Sequence, residues 1–271
     1  MSGKISVELG PLQSTLFIPL WARAKETKKE MPLLIDSTAV EIIESVDYDF
    51  STLNKSLKEI NLVSWISRCR KYDEILNRFI ITNPYGTIVN IGCGLDTYYE
   101  RAINNSVQWF ELDLPDVIVL RRRFFSETSN RKFISESFLK TDWFNQIELK
   151  GEVLFISAGV FCYFEEVEIR DFLVKVADRF PSSELLFDVT SKQGIKIANR
   201  IIAKTGLDKY SFMKWALKNK KIILSWDSRF KLIGVHYTYK QKNLNLSFRN
   251  SIIGAISDFL NIQYILHLKV S

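Results

Sequence analysis

The residues best placed to do chemistry are a pair of glycines and a carboxylate that follows the second of them by 19 residues. An apolar run, Ile88-Val89-Asn90-Ile91, passes directly into Gly92-Cys93-Gly94-Leu95-Asp96-Thr97. The first glycine lets the backbone turn sharply off a strand, and the second removes a side chain where a ligand must approach the main chain. A second apolar run, Trp109-Phe110-Glu111-Leu112, ends in Asp113-Leu114-Pro115. A carboxylate at that strand end is placed to accept hydrogen bonds from both hydroxyls of a ribose. Glu111 lies on the same strand face and could share or replace that role; Asp113 is favoured because it is nearer the strand end.

A dinucleotide fold would begin the same way, so the departures decide. Thr97 stands where the third glycine of G-x-G-x-x-G would be, and that glycine serves tight strand-to-helix packing around a pyrophosphate. No Gly-Lys-Ser/Thr follows the loop, which leaves a Walker-type phosphate site without support. A methionine-based cofactor carries no phosphate and asks only for a helix N-terminus near its carboxylate. The shortened loop therefore points to S-adenosylmethionine.

Composition bounds the rest. The chain has 271 residues, 46% hydrophobic and 13% aromatic, enough to bury a full core as a single domain. No run approaches the ~18 apolar residues of a membrane span, and residues 1–10 lack a charged-then-apolar secretory layout, so the expectation is a cytoplasmic protein with no membrane partner. Cys69, Cys93 and Cys162 are far apart and sit in apolar segments, which reads as reduced buried thiols. His236 and His267 have no acidic or thiol neighbours at ligand spacing, so no metal is expected. The net charge of +6 and pI of about 9.1 favour an anionic partner, but basic residues are scattered. The dense cluster Arg121-Arg122-Arg123 reads as a solvated helix face rather than a nucleic-acid site, because Val117, Leu120 and Phe124 already supply an inward stripe.

These residues need elements to hold them. Residues 1–84 read as a helical cap. Asp36-Ser37-Thr38 followed by Glu41 suggests a capped start, Thr38 and Glu41 having capping-box spacing. Val63, Ile66, Cys69, Tyr72, Leu76 and Phe79 trace a helix that Asn83-Pro84 stops. From there apolar runs at 87–91, 108–112, 131–134, 153–156, 184–187, 231–237 and 262–269 alternate with amphipathic stretches. That is the signature of an α/β, Rossmann-like, seven-stranded and mostly parallel sheet with helices on both faces. The last two runs differ in character and would close the sheet edge, with a polar region at 237–246 and an amphipathic segment at 249–260 between them. Residues 191–228 form a helical insertion after the fifth strand, readable either as a lid over the strand ends or as a core helix with a long connection.

Three motifs, Val89-Asn90-Ile91-Gly92-Cys93-Gly94-Leu95-Asp96-Thr97, Trp109-Phe110-Glu111-Leu112-Asp113-Leu114-Pro115-Asp116-Val117-Ile118 and Phe155-Ile156-Ser157-Ala158-Gly159-Val160-Phe161-Cys162-Tyr163-Phe164, resemble those of one family, as more weakly do Leu20-Trp21-Ala22-Arg23-Ala24-Lys25 and Ser64-Trp65-Ile66-Ser67-Arg68-Cys69-Arg70. The family is that of the leucine carboxyl methyltransferases and TcmP-like polyketide O-methyltransferases, within class I of the S-adenosylmethionine-dependent enzymes. The resemblance spans most of the chain. It implies that Gly92 and Gly94 contact the cofactor's amino-acid portion, that Arg68 reaches its carboxylate with a planar fork, and that Asp113 holds the ribose. Ser137 and Phe138 would flank the adenine. Ala158-Gly159 replaces the glutamate-glycine of many relatives at the end of the fourth strand, which points away from protein carboxyl methylation and towards a small molecule.

In-line displacement from a sulfonium asks the protein mainly to orient the nucleophile and exclude water. A carboxylate acceptor is already anionic at neutral pH, whereas a phenol benefits from a base. The expected acceptor is an anionic or phenolic small molecule methylated on oxygen, with S-adenosylhomocysteine as the other product. Arg23 and Lys25 would draw it in, Tyr163 would face it (or be a buried aromatic), and Phe212 and Trp215 would supply an apolar wall. RNA modification, protein carboxyl methylation and cofactor binding without catalysis are the alternatives. Oligomeric state is not legible.

Overall fold

The computed structural model describes residues 4–7, 9–103, 106–207 and 209–271; the segment read above for a secretory layout lies partly outside them. Its centre is a seven-stranded sheet made of β1 (Thr87–Ile91), β2 (Gln108–Asp113), β3 (Arg131–Ser135), β4 (Val153–Ser157), β5 (Glu184–Thr190), β6 (Phe230–Tyr237) and β7 (Gln263–Val270). The spatial order is β3-β2-β1-β4-β5-β7-β6. The first five strands run parallel, and β7 lies antiparallel to both β5 and β6. The order reverses between β1 and β4, and in an open sheet of this kind the crevice at the carboxyl ends of such strands is where ligands bind.

Alternate residues of each strand serve opposite faces, and the packing follows that period. Ile88, Trp109, Leu154 and Ile156 pack under the long helix α4 (Glu59–Thr82) through Tyr72, Ile75, Leu76 and Phe79. Val89, Phe110 and Phe155 point the other way, towards Ile169, Phe172 and Val176 of α7 (Glu166–Arg179). Because both faces are covered, β1 and β4 are buried throughout. The helix traced from Val63 to Phe79 ends at Asn83, as its pattern predicts.

The amino-terminal helices α1 (Phe17–Thr27), α2 (Ser37–Ser45) and α3 (Ser51–Ser56) form the cap. Phe17, Leu20 and Ala39 pack on Cys93 and Leu95, so the cap sits directly on the glycine loop, which leads into the one-turn α5 (Tyr98–Arg101). The α2 start differs from its expected form. Asp36, not Thr38, is the N-cap, accepting from the amide of Ala39 at 2.9 Å. Its carboxylate is already located by Arg23 and Thr97, so the helix begins earlier and Thr38 falls inside the first turn.

The arginine cluster is also corrected. Arg122 and Arg123 are exposed on the connection after α6 (Pro115–Arg121), but Arg121 is wholly buried. It reaches back over β2 to Glu111, which also accepts from Arg131, so a buried carboxylate lies between two guanidinium groups. A run of three arginines does not say which of them has a buried acid within reach.

The insertion after β5 holds α8 (Lys192–Lys204) and α9 (Lys220–Trp226). Its return path is pinned to the strand ends by amides of Lys214 and Trp215 donating to the Cys162 carbonyl and of Leu217 to that of Thr190. Between β6 and β7 lies α10 (Phe248–Phe259). All three cysteines are buried and free.

Candidate active site

Turning the chain off β1 requires left-handed backbone at Gly92 (φ +65°) and Gly94 (φ +48°). At Gly92 a Cβ would also lie 2.3 Å from a methyl of Val160, whereas at Gly94 it would meet only Leu16 at 3.5 Å. Gly92 is therefore demanded by close approach as well as by φ, and Gly94 chiefly by φ. Two buried arginines hold the carbonyl oxygens of the loop. Arg121 Nη1 donates to those of Gly94 (2.9 Å) and Asp96 (3.0 Å), and Arg23 Nη2 donates to that of Leu95 (2.8 Å).

Asp113, at the end of β2, is positioned by the same loop. Its Oδ2 accepts from the Gly94 amide at 2.7 Å and its Oδ1 from the Leu114 amide at 2.8 Å. A carboxylate oxygen has a second lone pair, so both can still accept from a ligand. Burial pushes the Asp113 carboxyl up to about 6, against the two amides that favour its charge. Asp96 is likewise pushed up to about 6 by burial, opposed by Arg121. Its Oδ2 accepts from Asn90 Nδ2 at 2.8 Å, and its enclosed Oδ1 has no hydrogen-bond partner among the described residues.

Arg68 approaches from α4. Its Nη1 donates to Asp188 Oδ2 at 2.9 Å, and Asp188 Oδ1 accepts from the Gly159 amide at 2.6 Å, which ties the arginine to the loop after β4. Arg68 Nε is enclosed and has no partner among the described residues. A guanidinium held by one carboxylate, with donor capacity left over, suits a further carboxylate.

All these groups line one cavity of about 530 Å³. Gly92, Gly94, Asp96, Asp113, Glu136, Ser137, Phe138, Ala158 and Arg68 form one part of its wall. Another part is largely apolar: Leu16, Ile18 and Pro19 from the amino-terminal segment, Ile60 and Trp65 from α4, Ile197 and Ile201 from α8, and Ile253, Ile256 and Leu260 in and after α10. Its polar residues, among them Gln13, Thr15, Asn61 and Ser64, are uncharged. Tyr163 lines the wall, with burial raising its phenol, and Tyr239, pushed up to about 12 by burial, donates to the Ile60 carbonyl at 3.0 Å.

The sequence-predicted residues divide accordingly. Arg68, Gly92, Gly94, Asp113, Ser137, Phe138, Ala158 and Tyr163 meet in the cavity, although Phe138 is also packed edge-on against Phe164 and Phe172. Glu111 does not reach it, being enclosed with Arg121 and Arg131. Arg23 touches the wall, but its charge is engaged by Asp36 at 2.7 Å, which makes it a support for the loop rather than an attractor of anions. Lys25 is exposed, bonded to Asn54 and lying over Trp21. Trp215 turns into the core beside Trp226 with its indole N–H on Glu166, and neither it nor Phe212 lines the cavity. The insertion instead contributes α8 and Met213. Asp96, Asp188 and α10 went unforeseen; Asp96 follows the glycine pair in the loop after β1 and Asp188 lies near the carboxyl end of β5, positions that could have been flagged as Asp113 was.

The profile of the leucine carboxyl methyltransferase family matches residues 17–177, the cap and the sheet through α7. The tetracenomycin polyketide synthesis O-methyltransferase TcmP of Streptomyces glaucescens is 28% identical over 223 residues, 81% of this chain and 80% of that protein. The S-adenosyl-L-methionine-dependent methyltransferase dpfgK of Gibberella zeae is 26% identical over 222 residues, 74% of each chain. A solved structure from Thermobifida fusca YX, assigned as a methyltransferase, superposes with a TM-score of 0.58 at 16% identity over 92% of this chain and 94% of its own, a likeness of fold. With a glycine loop, a carboxylate held beside it and a matching profile together, the chain belongs to the leucine carboxyl methyltransferase family and is an S-adenosylmethionine-dependent methyltransferase.

Proposed function

We propose that the protein methylates an oxygen of a small, largely apolar acceptor that is already acidic. The observation carrying this reading is the character of the cavity: its glycine-loop side gathers acids and an arginine, and its remaining wall is largely apolar with uncharged polar residues between, Tyr163 and Tyr239 being its titratable groups away from the glycine loop. Both phenols are raised by burial, so at neutral pH they donate hydrogen bonds and do not take protons. Neither histidine lies in the wall. An acceptor oxygen must therefore arrive ionised or ionise readily, as a carboxyl or an acidified phenol does.

When bound, S-adenosylmethionine supplies a sulfonium methyl group, whose carbon–sulfur bond breaks as the acceptor oxygen bonds to carbon and the electron pair passes to sulfur. The chain's own residues would do the rest. Asp113, set by the Gly94 and Leu114 amides, would accept from the ribose hydroxyls. Arg68, braced by Asp188, would take the cofactor's carboxylate, and Ser137 and Phe138 would flank the adenine beside Ala158. The cap, α8 and α10 would exclude water from the apolar part.

The anionic-attractor role expected of Arg23 and Lys25 loses its basis, which favours an acceptor whose body is apolar and whose charge is confined to the reacting oxygen. The two basic residues in the wall, Arg23 and Arg68, each have a carboxylate partner, which argues against an RNA channel. A screen with isotopically labelled methyl donor would test this. Expected acceptors are apolar carboxylic acids and acidic phenols, with no label in RNA or in peptide carboxyl termini. Transfer to RNA or to a peptide, with none to small acids, would overturn the reading.

A further inference from the structure

Several residues of the cavity wall are also on the molecular surface, and their location is informative. The exposed members, Gln193, Ile197, Ile253, Ile256 and Leu260, all belong to α8 or to α10 and the residue that caps its end. A residue that is at once exposed and part of the wall marks the opening, so the mouth of the cavity lies between these two helices.

Both helices carry an unusual outer face. Lys192, Lys196, Arg200 and Lys204 follow one another at four-residue steps on α8, are all exposed, and share the helix with no acidic residue. The four-residue step puts them in one stripe. On α10, Phe248, Ile252, Ile256 and Phe259 form a second stripe, and the two phenylalanines are 84% and 82% exposed. The one acid of α10, Asp258, is buried and accepts from the Tyr239 amide. Contiguous exposed apolar side chains mark interaction sites.

We propose that this mouth docks on an anionic lipid bilayer surface, with the α8 cations at the headgroups and the α10 phenylalanines and isoleucines in the acyl boundary. Cations beside large apolar residues on one surface are what interfacial helices present to such a membrane. A second copy of the chain fits less well, because neither helix presents an exposed acid to meet the four α8 cations of the other copy. No spanning segment is needed: no helix among the described residues is long and apolar enough to cross a membrane. A cavity opening onto a bilayer could take an apolar acceptor directly from it. That consequence rests on the methyl-transfer reading, whereas the docking itself does not.

The test is vesicle flotation of the full chain with phosphatidylcholine alone and with phosphatidylglycerol mixed in. Binding is expected to the mixed vesicles at low salt, falling as salt is raised. Lys196→Ala and Arg200→Ala should each weaken it about fivefold, and Phe248→Ser with Phe259→Ser should weaken it at least tenfold. These side chains are on the surface and outside the cavity wall, so calorimetric cofactor binding should be unchanged in every variant, which separates failure of this proposal from failure of the cofactor reading. Protein that stays unbound with anionic vesicles at low salt, or binding indifferent to all four substitutions, would overturn it. So would sedimentation showing self-association that Phe259→Ser abolishes, which would assign the face to a second copy.

Discussion

Asp113 and Glu111 are two residues apart on one strand, yet their surroundings give them opposite tasks. Glu111 is closed in by Arg121 and Arg131, whereas Asp113 keeps accepting capacity at the cavity wall. Glu111→Ala should therefore destabilise the fold, by about 3 to 5 kcal/mol on the scale of stranded buried charges, measured by denaturant unfolding. The same scale applies to Arg121→Met, while Arg122→Ala and Arg123→Ala, on the exposed side, should stay within about 0.5 kcal/mol. Protonation tells the same story. The Asp113 and Asp96 carboxyls sit near 6 because burial opposes their charge. Through these groups, folding of the empty protein is favoured as pH falls from 6 towards 4, since the folded state then holds more protons than the unfolded one. The proposed ribose role of Asp113 runs the other way, because it uses the ionised carboxylate. The thermal stabilisation given by S-adenosylhomocysteine should be full at pH 8 and shrink below pH 6; a stabilisation independent of pH would show that the Asp113 carboxylate does not meet the ligand.

At the scale of elements, what was legible follows from periodicity. β1 and β4 are buried on both faces and read as continuous apolar runs; α4 and α7 are one-sided and read at helical steps. The start of α2 was less legible because Asp36 is fixed by partners distant in sequence, Arg23 and Thr97. The glycine loop was legible as a motif, but its support was not: nothing local to Arg23 or Arg121 says that they bond the carbonyls of Leu95, Gly94 and Asp96. Likewise the aromatic richness of residues 191–228 suggested a wall, while packing turned Trp215 into the core and left the wall to α8 and α10. The turn off β1 gives a further prediction. Gly94→Ala should cost about 1 to 2 kcal/mol from left-handed backbone alone. Gly92→Ala should cost more, because its Cβ also meets Val160, and adding Val160→Ala should recover the excess but not the backbone part, as a double-mutant cycle in denaturant would read.

For the whole molecule, the sheet order brings loop, acid and arginine to one end of the strands, and the cap, α8 and α10 close over them. The central claim is that this end holds S-adenosylmethionine through Asp113. Calorimetric titration of the wild type and of Asp113→Ala tests it most directly. The account predicts micromolar binding of S-adenosylmethionine and S-adenosylhomocysteine, on the order of 8 kcal/mol, no binding of NAD, and a loss of about 1.5 to 3 kcal/mol in the variant with its unfolding midpoint retained. No heat with either methionine-derived ligand while NAD binds, or full affinity in a folded Asp113→Ala protein, would contradict it.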